Sequence, residues 1–203
     1  MTSSGADRPR IAALLLAAGA SRRMGGVNKL TATVGGRPLV RIAAEAALAS
    51  RAEPVVVVTG HDAGAVKAAL AGLAISMAHN PDHAAGLATS LKAGLAVLPD
   101  GLDGVAVMLA DMPEIGPAVV DRLIGAFRGQ TDIVVPVAQG RRGNPVLWGA
   151  AWFDRLAALE GDTGGRQLIA MNPESVVAVA MDAAVTRDID TPDALRKAGG
   201  NPG

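Results

Sequence analysis

Two short stretches of this chain carry the residue types that handle phosphate and metal. The first is Leu16-Ala17-Ala18-Gly19-Ala20-Ser21-Arg22-Arg23-Met24-Gly25-Gly26-Val27-Asn28-Lys29, in which small residues follow an apolar run and cations follow them. Small side chains let consecutive backbone N–H groups close on an anion. Arg23 would meet a triphosphate as a planar fork and Lys29 as a point charge. The second, Met108-Leu109-Ala110-Asp111-Met112-Pro113, ends an apolar run in one carboxylate. Such a group can hold Mg2+, which takes one or two protein oxygens and leaves its other positions to water and phosphate. An aspartate that only closes a loop would look the same. Asp190, within Arg187-Asp188-Ile189-Asp190-Thr191-Pro192-Asp193, is a candidate second metal ligand, although Asp or Thr before Pro is also an ordinary helix start.

Other polar groups have two readings each. His83 in the loop Asn80-Pro81-Asp82-His83-Ala84-Ala85-Gly86 is either an acid or phosphate contact, or a solvated histidine. Ser90 either donates to a nucleotide or packs. Arg141, Arg142 and Asn144 suit an acceptor site or a charged hairpin tip, and Gly161-Asp162-Thr163-Gly164-Gly165-Arg166 suits an anion-binding turn or a helix start. His61 and His79 lack metal-ligand spacing. The first loop fits neither G-x-x-x-x-G-K-[ST] nor the dinucleotide pattern G-x-G-x-x-G.

Positioning these groups needs a scaffold, and the apolar patterning predicts one. Strand-length runs at Ile11 to Ala17, Val55 to Thr59, Val105 to Ala110, Ile133 to Val137 and Val176 to Ala180 alternate with helical stretches. That pattern predicts an α/β fold with a mostly parallel sheet, whose carboxyl edge would carry both motifs. Helices are predicted over Leu39 to Ser50, from Asp62 as cap to Leu70, over Leu87 to Leu98, Pro117 to Phe127 and Ala150 to Leu159, with a last one opening at Thr191-Pro192. One domain over residues 11–198 is expected, with disordered tails at 1–10 and 199–203.

Composition removes several function classes. Half of the residues are hydrophobic, but only two Trp, two Phe and no Tyr are present, so base-stacking nucleic-acid binding is not expected. Net charge is +0, which favours neither nucleic acid nor an anionic membrane. The absence of cysteine excludes disulfides and zinc-thiolate sites. No signal-peptide or membrane-spanning pattern is seen, so a cytoplasmic enzyme is expected.

Taken together, these motifs resemble the MobA-like nucleotidyltransferase family, which includes the molybdenum cofactor guanylyl- and cytidylyltransferases. The resemblance runs from Ile11 to Leu195 and rests on Leu16-Ala17-Ala18-Gly19-x-Ser21-x-Arg23-Met24-Gly25 with Lys29, on Gly86-Leu87-Ala88-Thr89-Ser90, on Leu109-Ala110-Asp111-Met112-Pro113, on Gly143-Asn144-Pro145-Val146-Leu147 and on Asp188-Ile189-Asp190-Thr191-Pro192. It implies a three-layer, Rossmann-like nucleotidyltransferase fold with a mixed, mainly parallel sheet. It also implies nucleotide contacts from Leu16, Ala17, Ala18, Gly19, Arg23, Lys29, Ser90 and Asp111, with catalytic roles for Arg23, Lys29 and Asp111. Mg2+ would sit on Asp111 and Asp190, and the acceptor would meet His83, Arg142, Asn144 and Arg166. Ala18, where guanylyltransferases tend to carry a second glycine, looks like the cytidylyltransferase branch; a methyl there narrows the base site. The implied reaction is transfer of CMP from CTP (or GMP from GTP) to molybdopterin, with a molybdoenzyme or its chaperone as downstream partner. Three alternatives stay open: a different small phosphorylated acceptor, a non-catalytic pterin carrier, and a dinucleotide-dependent enzyme.

Overall fold

In the computed structural model, which describes residues 8–20, 28–162 and 164–201, β1 (Ile11–Ala17) is buried at every position. Ala13, Leu15 and Ala17 enter one core, while Ala12, Leu14 and Leu16 enter another on the opposite face. A strand covered on both faces needs apolar residues throughout, which accounts for the unbroken run. Next come β2 (Thr33–Val34) and β3 (Arg37–Pro38), a hairpin turning through Gly35 and Gly36 at φ 57° and 75°. Positive φ at both central residues is what a tight hairpin turn requires. The chain continues through α1 (Leu39–Leu48), β4 (Val55–Thr59), α2 (Ala63–Ala69), β5 (Ser76–His79), α3 (Leu87–Leu95) and β6 (Gly104–Leu109). Its second half holds α4 (Pro117–Ala126), β7 (Ile133–Ala138), β8 (Arg141–Arg142), β9 (Val146–Gly149), α5 (Phe153–Ala157), α6 (Arg166–Met171), β10 (Val176–Ala180), α7 (Pro192–Lys197) and β11 (Gly200–Asn201).

The main sheet has the order β10-β7-β9-β6-β1-β4-β5, with β8 paired to β7. Every strand in it except β8 and β9 runs in one direction. Residues of α1, α2 and α4 (Val40, Val66, Leu123) fill one core; residues of α3, α5 and α6 (Leu91, Leu156, Ile169) fill the other. This is the three-layer α/β architecture with a mixed, mainly parallel sheet. The chain leaves β1 for β4 on one side and returns through β6 on the other, so a crevice opens at the carboxyl end of β1. Helix α3 lies very close to the sheet there: a Cβ on Gly94 would come within 2.4 Å of Leu14 Cδ1. Among the described residues no helix is long and apolar enough to cross a membrane.

A second, three-stranded sheet of order β11-β2-β3 sits beside the main one. Its small core is Ala32, Leu39, Ile189 and Leu195. Here the structure departs from the disordered tail expected over 199–203, since Gly200 and Asn201 pair with Val34 and Thr33. The expected tail over 1–10 is likewise tied at its end, where Arg10 N donates to Asp103 Oδ2 at 2.9 Å and Arg10 Nη1 to the Gly101 carbonyl at 2.9 Å. The predicted helix Ala150 to Leu159 is divided into a 3-10 turn over Ala150–Trp152 and α5. Thr191 caps α7 as expected, its hydroxyl accepting from Ala194 N. Asp62 occupies the N-cap position of α2 as expected, but at φ 51° and with no side-chain cap bond.

Candidate nucleotide and metal site

A cavity of about 280 Å³ opens at the carboxyl edge, lined by Leu16, Ala18, Gly19, Lys29, His83, Ser90 and Asp111 among others. Strand periodicity decides which of the first-loop residues reach it. Leu16 and Ala18 face the α3 layer, whereas the Ala17 side chain points to the opposite core. Ala17 was expected among the nucleotide contacts, and its methyl does not line the cavity. Arg23 lies outside the described residues.

Lys29 is placed by its neighbour. Asn28 is buried, accepts from Leu30 N at 3.0 Å and donates from Nδ2 to Asp62 Oδ2 at 3.2 Å. The carboxylate expected to cap α2 therefore fixes the turn that presents Lys29. Lys29 Nζ then reaches Asp111 Oδ2 at 2.6 Å and Asp190 Oδ1 at 2.5 Å. Burial works against the ammonium charge, but Asp111 and Asp190 outweigh it and hold the Lys29 pKa above its ordinary value.

Asp111, Asp188 and Asp190 form the cluster, each offering a carboxylate oxygen within 4.8 Å of the others. Ile189 N donates to the Asp111 carbonyl at 2.9 Å, and the Ile189 side chain is buried in the small core. Alternation along this extended segment puts Asp188 and Asp190 on the side opposite Ile189, facing Asp111. Asp111 Oδ1 is buried with no hydrogen-bond partner among the described residues. Leaving such an acceptor unpaired costs about 1–3 kcal/mol. A hard divalent cation meets that need, because its chemistry is carboxylate oxygen plus phosphate and water. Burial and the like charge of Asp190 push the Asp188 pKa up. The sequence reading had named Asp111 and Asp190 but not Asp188. The signal was present: an aspartate two positions before another, separated by an isoleucine.

The loop before α3 is organised by Asn80, also not singled out from sequence. It is buried, accepts from Asp82 N at 3.0 Å, and donates from Nδ2 to Thr89 Oγ1 at 2.9 Å and Ser90 Oγ at 3.0 Å. Because Ser90 Oγ accepts that bond, its own proton is left to donate elsewhere. His83, expected on the acceptor side, instead lines this first cavity, with its ring 5.9 Å from that of His61.

A second cavity of about 510 Å³ holds the other three acceptor candidates, Arg142, Asn144 and Arg166. Arg142 comes from the β7–β8 hairpin, turned by Gln139 and Gly140 at φ 51° and 75°. Asn144 is anchored by its own N–H, which donates to the Val185 carbonyl at 2.8 Å. Arg166 opens α6. The floor is apolar, with Val135, Val146, Trp148 and Ile169. Trp148 and Trp152 are both core residues, packed edge to face at 6.3 Å. Leu87, Leu109 and Asp162 line both cavities, so the two are contiguous.

A cleft at the sheet edge beside a carboxylate cluster is matched by sequence likeness along most of the chain: residues 13–179 match the MobA-like NTP transferase domain. The chain belongs to that family. Among curated relatives of this MobA-like chain, the probable molybdenum cofactor guanylyltransferase of Haloferax mediterranei is 30% identical over 63% of this chain. The match spans only 60% of that protein. Nicotine blue oxidoreductase of Paenarthrobacter nicotinovorans is 30% identical, over 91% of this chain and 94% of that one. The crystal structure of Rv0371c from Mycobacterium tuberculosis H37Rv, in complex with manganese, superposes with a TM-score of 0.81 at 28% identity, covering 93% of this chain and 97% of that one.

Proposed function

We propose that this MobA-like nucleotidyltransferase transfers CMP from CTP to molybdopterin with release of pyrophosphate, using Mg2+. One observation supports it above the others. Asp111 Oδ1, buried and without a hydrogen-bond partner among the described residues, stands with Lys29 in the wall of one cavity, with Asp188 and Asp190 clustered against Asp111, and that cavity adjoins a second, cationic one. Two contiguous pockets suit a reaction between two bound substrates. Rv0371c, which shares the fold at 28% identity, is described in complex with manganese.

In this reading the first cavity takes the nucleotide. Leu16, Ala18 and Gly19 bound it on the β1 side, and Ser90 donates its hydroxyl proton to it. The Ala18 methyl narrows the base site and favours cytosine over guanine. Asp111, Asp188 and Asp190 would hold the metal, which when bound screens phosphate charge and polarises the phosphorus–oxygen bonds. Lys29 turns from the carboxylates to the triphosphate, where its charge stabilises the departing pyrophosphate; Arg23 serves the same end. Arg142, Asn144 and Arg166 hold the acceptor, with the apolar floor under its ring. The acceptor phosphate is already ionised at neutral pH, so positioning and charge neutralisation do the work.

Pyrophosphate release measured with molybdopterin and each of CTP, GTP, ATP and UTP tests the proposal. Release with CTP alone is the expected result. Release with GTP alone would reassign the donor and overturn the role given to Ala18. Release with none would favour a pterin carrier, or chemistry of the kind that one relative's oxidoreductase name describes.

A further inference from the structure

Between the two cavities the loop after α5 meets the first turn of α3. Asp162 lines both cavities. Its Oδ1 accepts from Leu87 N at 3.0 Å, and the Gly161 carbonyl accepts from Ala88 N at 3.1 Å. These are first-turn amides, which have no acceptor within their own helix. A carboxylate at that position is also favoured by the helix dipole. The approach is close enough to exclude a side chain on Gly86. That residue has φ 117°, and a Cβ on it would lie 2.6 Å from the Gly161 carbonyl and 2.9 Å from Asp162 Oδ1.

The other flank of the loop is held as tightly. A Cβ on Gly165 would lie 2.2 Å from the Trp148 ring, and Trp148 belongs to β9 beneath the second cavity. Arg166 follows directly. On the donor side, α3 carries Ser90 into the first cavity and is pressed onto β1 through Gly94. The loop is thus gripped by α3 on one side and by β9 on the other. Asp162 supplies a side-chain hydrogen bond between loop and helix, beside the backbone one from Gly161.

We propose that Asp162 is a positioning residue, fixing the acceptor-side loop to the donor-side helix and so setting the separation of the two bound substrates. This rests on the two-substrate reading above. Each pocket has other charged groups besides Asp162: Lys29 and Asp111 line one, Arg142 and Arg166 the other. Loss of the Asp162–Leu87 bond therefore leaves each site able to bind while loosening their relative placement. A displacement of about 1 Å between reacting groups can lower turnover by about 10²-fold.

The test compares Asp162→Ala with Asp162→Asn in the full chain, since asparagine keeps a side-chain oxygen for the Leu87 amide. Asp162→Ala should lower kcat by about 10–100-fold. Its CTP affinity, measured calorimetrically with Mg2+, should stay within about threefold of wild type, a shift of at most about 0.7 kcal/mol. Asp162→Asn should recover most of the lost kcat. Separately from catalysis, amide exchange at Leu87 and Ala88 should be faster in the alanine variant and near wild type in the asparagine variant. Unchanged exchange in the alanine variant overturns the proposal, as does equal loss of kcat in both variants or a loss of CTP affinity as large as that of kcat. If wild-type protein transfers no nucleotide to any acceptor, the functional reading falls, and the amide exchange still decides whether Asp162 joins the two halves.

Discussion

In the proposed division of the site, the donor-side residues Leu16, Ala18, Gly19 and Lys29 come from one continuous stretch, and Asp111 follows the end of the neighbouring strand β6. On the acceptor side, Arg142 comes from a hairpin, Asn144 from the approach to β9 and Arg166 from the start of α6. The donor half is polar and dense in carboxylates, with short ion pairs at 2.5 and 2.6 Å. The acceptor half is wider and has an apolar floor under its cations. The difference fits the proposed division of labour, with nucleotide chemistry on rigid strand ends and the variable partner on hairpin and loop. Loops on a fixed scaffold are where binding specificity is most easily varied.

Substitutions can break that division in order of size. Asp111→Ala should have the largest effect, lowering turnover by about 10²–10³-fold, as loss of a key electrostatic group at a reacting centre does. Metal affinity, followed by manganese titration, should fall with it, and the melting temperature should shift by no more than a few degrees. Turnover close to wild type would remove the metal role from this cluster. Arg166→Ala should come next. Loss of one charged hydrogen bond is worth about 1.5–3 kcal/mol, so KM for the acceptor should rise about 10–100-fold while CTP affinity is unchanged. A weakened CTP affinity would place Arg166 in the donor half and erase the comparison. Ala18→Gly should have the smallest effect. One methyl in a pocket is worth about 1–3 kcal/mol of discrimination, and the ratio of kcat/KM for CTP over GTP should drop by about tenfold. An unchanged ratio would move base selection away from the β1 loop.

What could be read in advance follows the same line. Asp111 was legible because it follows an apolar run whose strand end points the next residues at the crevice, and Lys29 because it is a cation closing a loop of small residues after such a run. Asp188 was harder, since it gains meaning only when Ile189 is known to be buried and to hydrogen-bond with Asp111. Asp62 starts α2 as its type suggests, but its carboxylate pairs with Asn28, which lies far away in sequence and so is not legible there. Gly200 and Asn201 look like tail in the sequence because a two-residue strand has no periodicity to detect; only pairing with β2 defines it.

Local patterning, then, determined the layers and the strand-end motifs. Apolar runs buried on both faces must be central strands, and a loop of small residues and cations after such a run must lie at the sheet edge. The tertiary structure decided everything that depends on which distant segments touch. It turned Ala17 away from the cavity where Ala18 faces it, brought Asp188 and Asp190 against Asp111, put His83 in the first cavity with Lys29 and Asp111, and set Asp162 between the two pockets. The reason is physical: strand and helix periods act over a few residues, whereas a site's geometry is fixed by contacts between elements far apart in the chain.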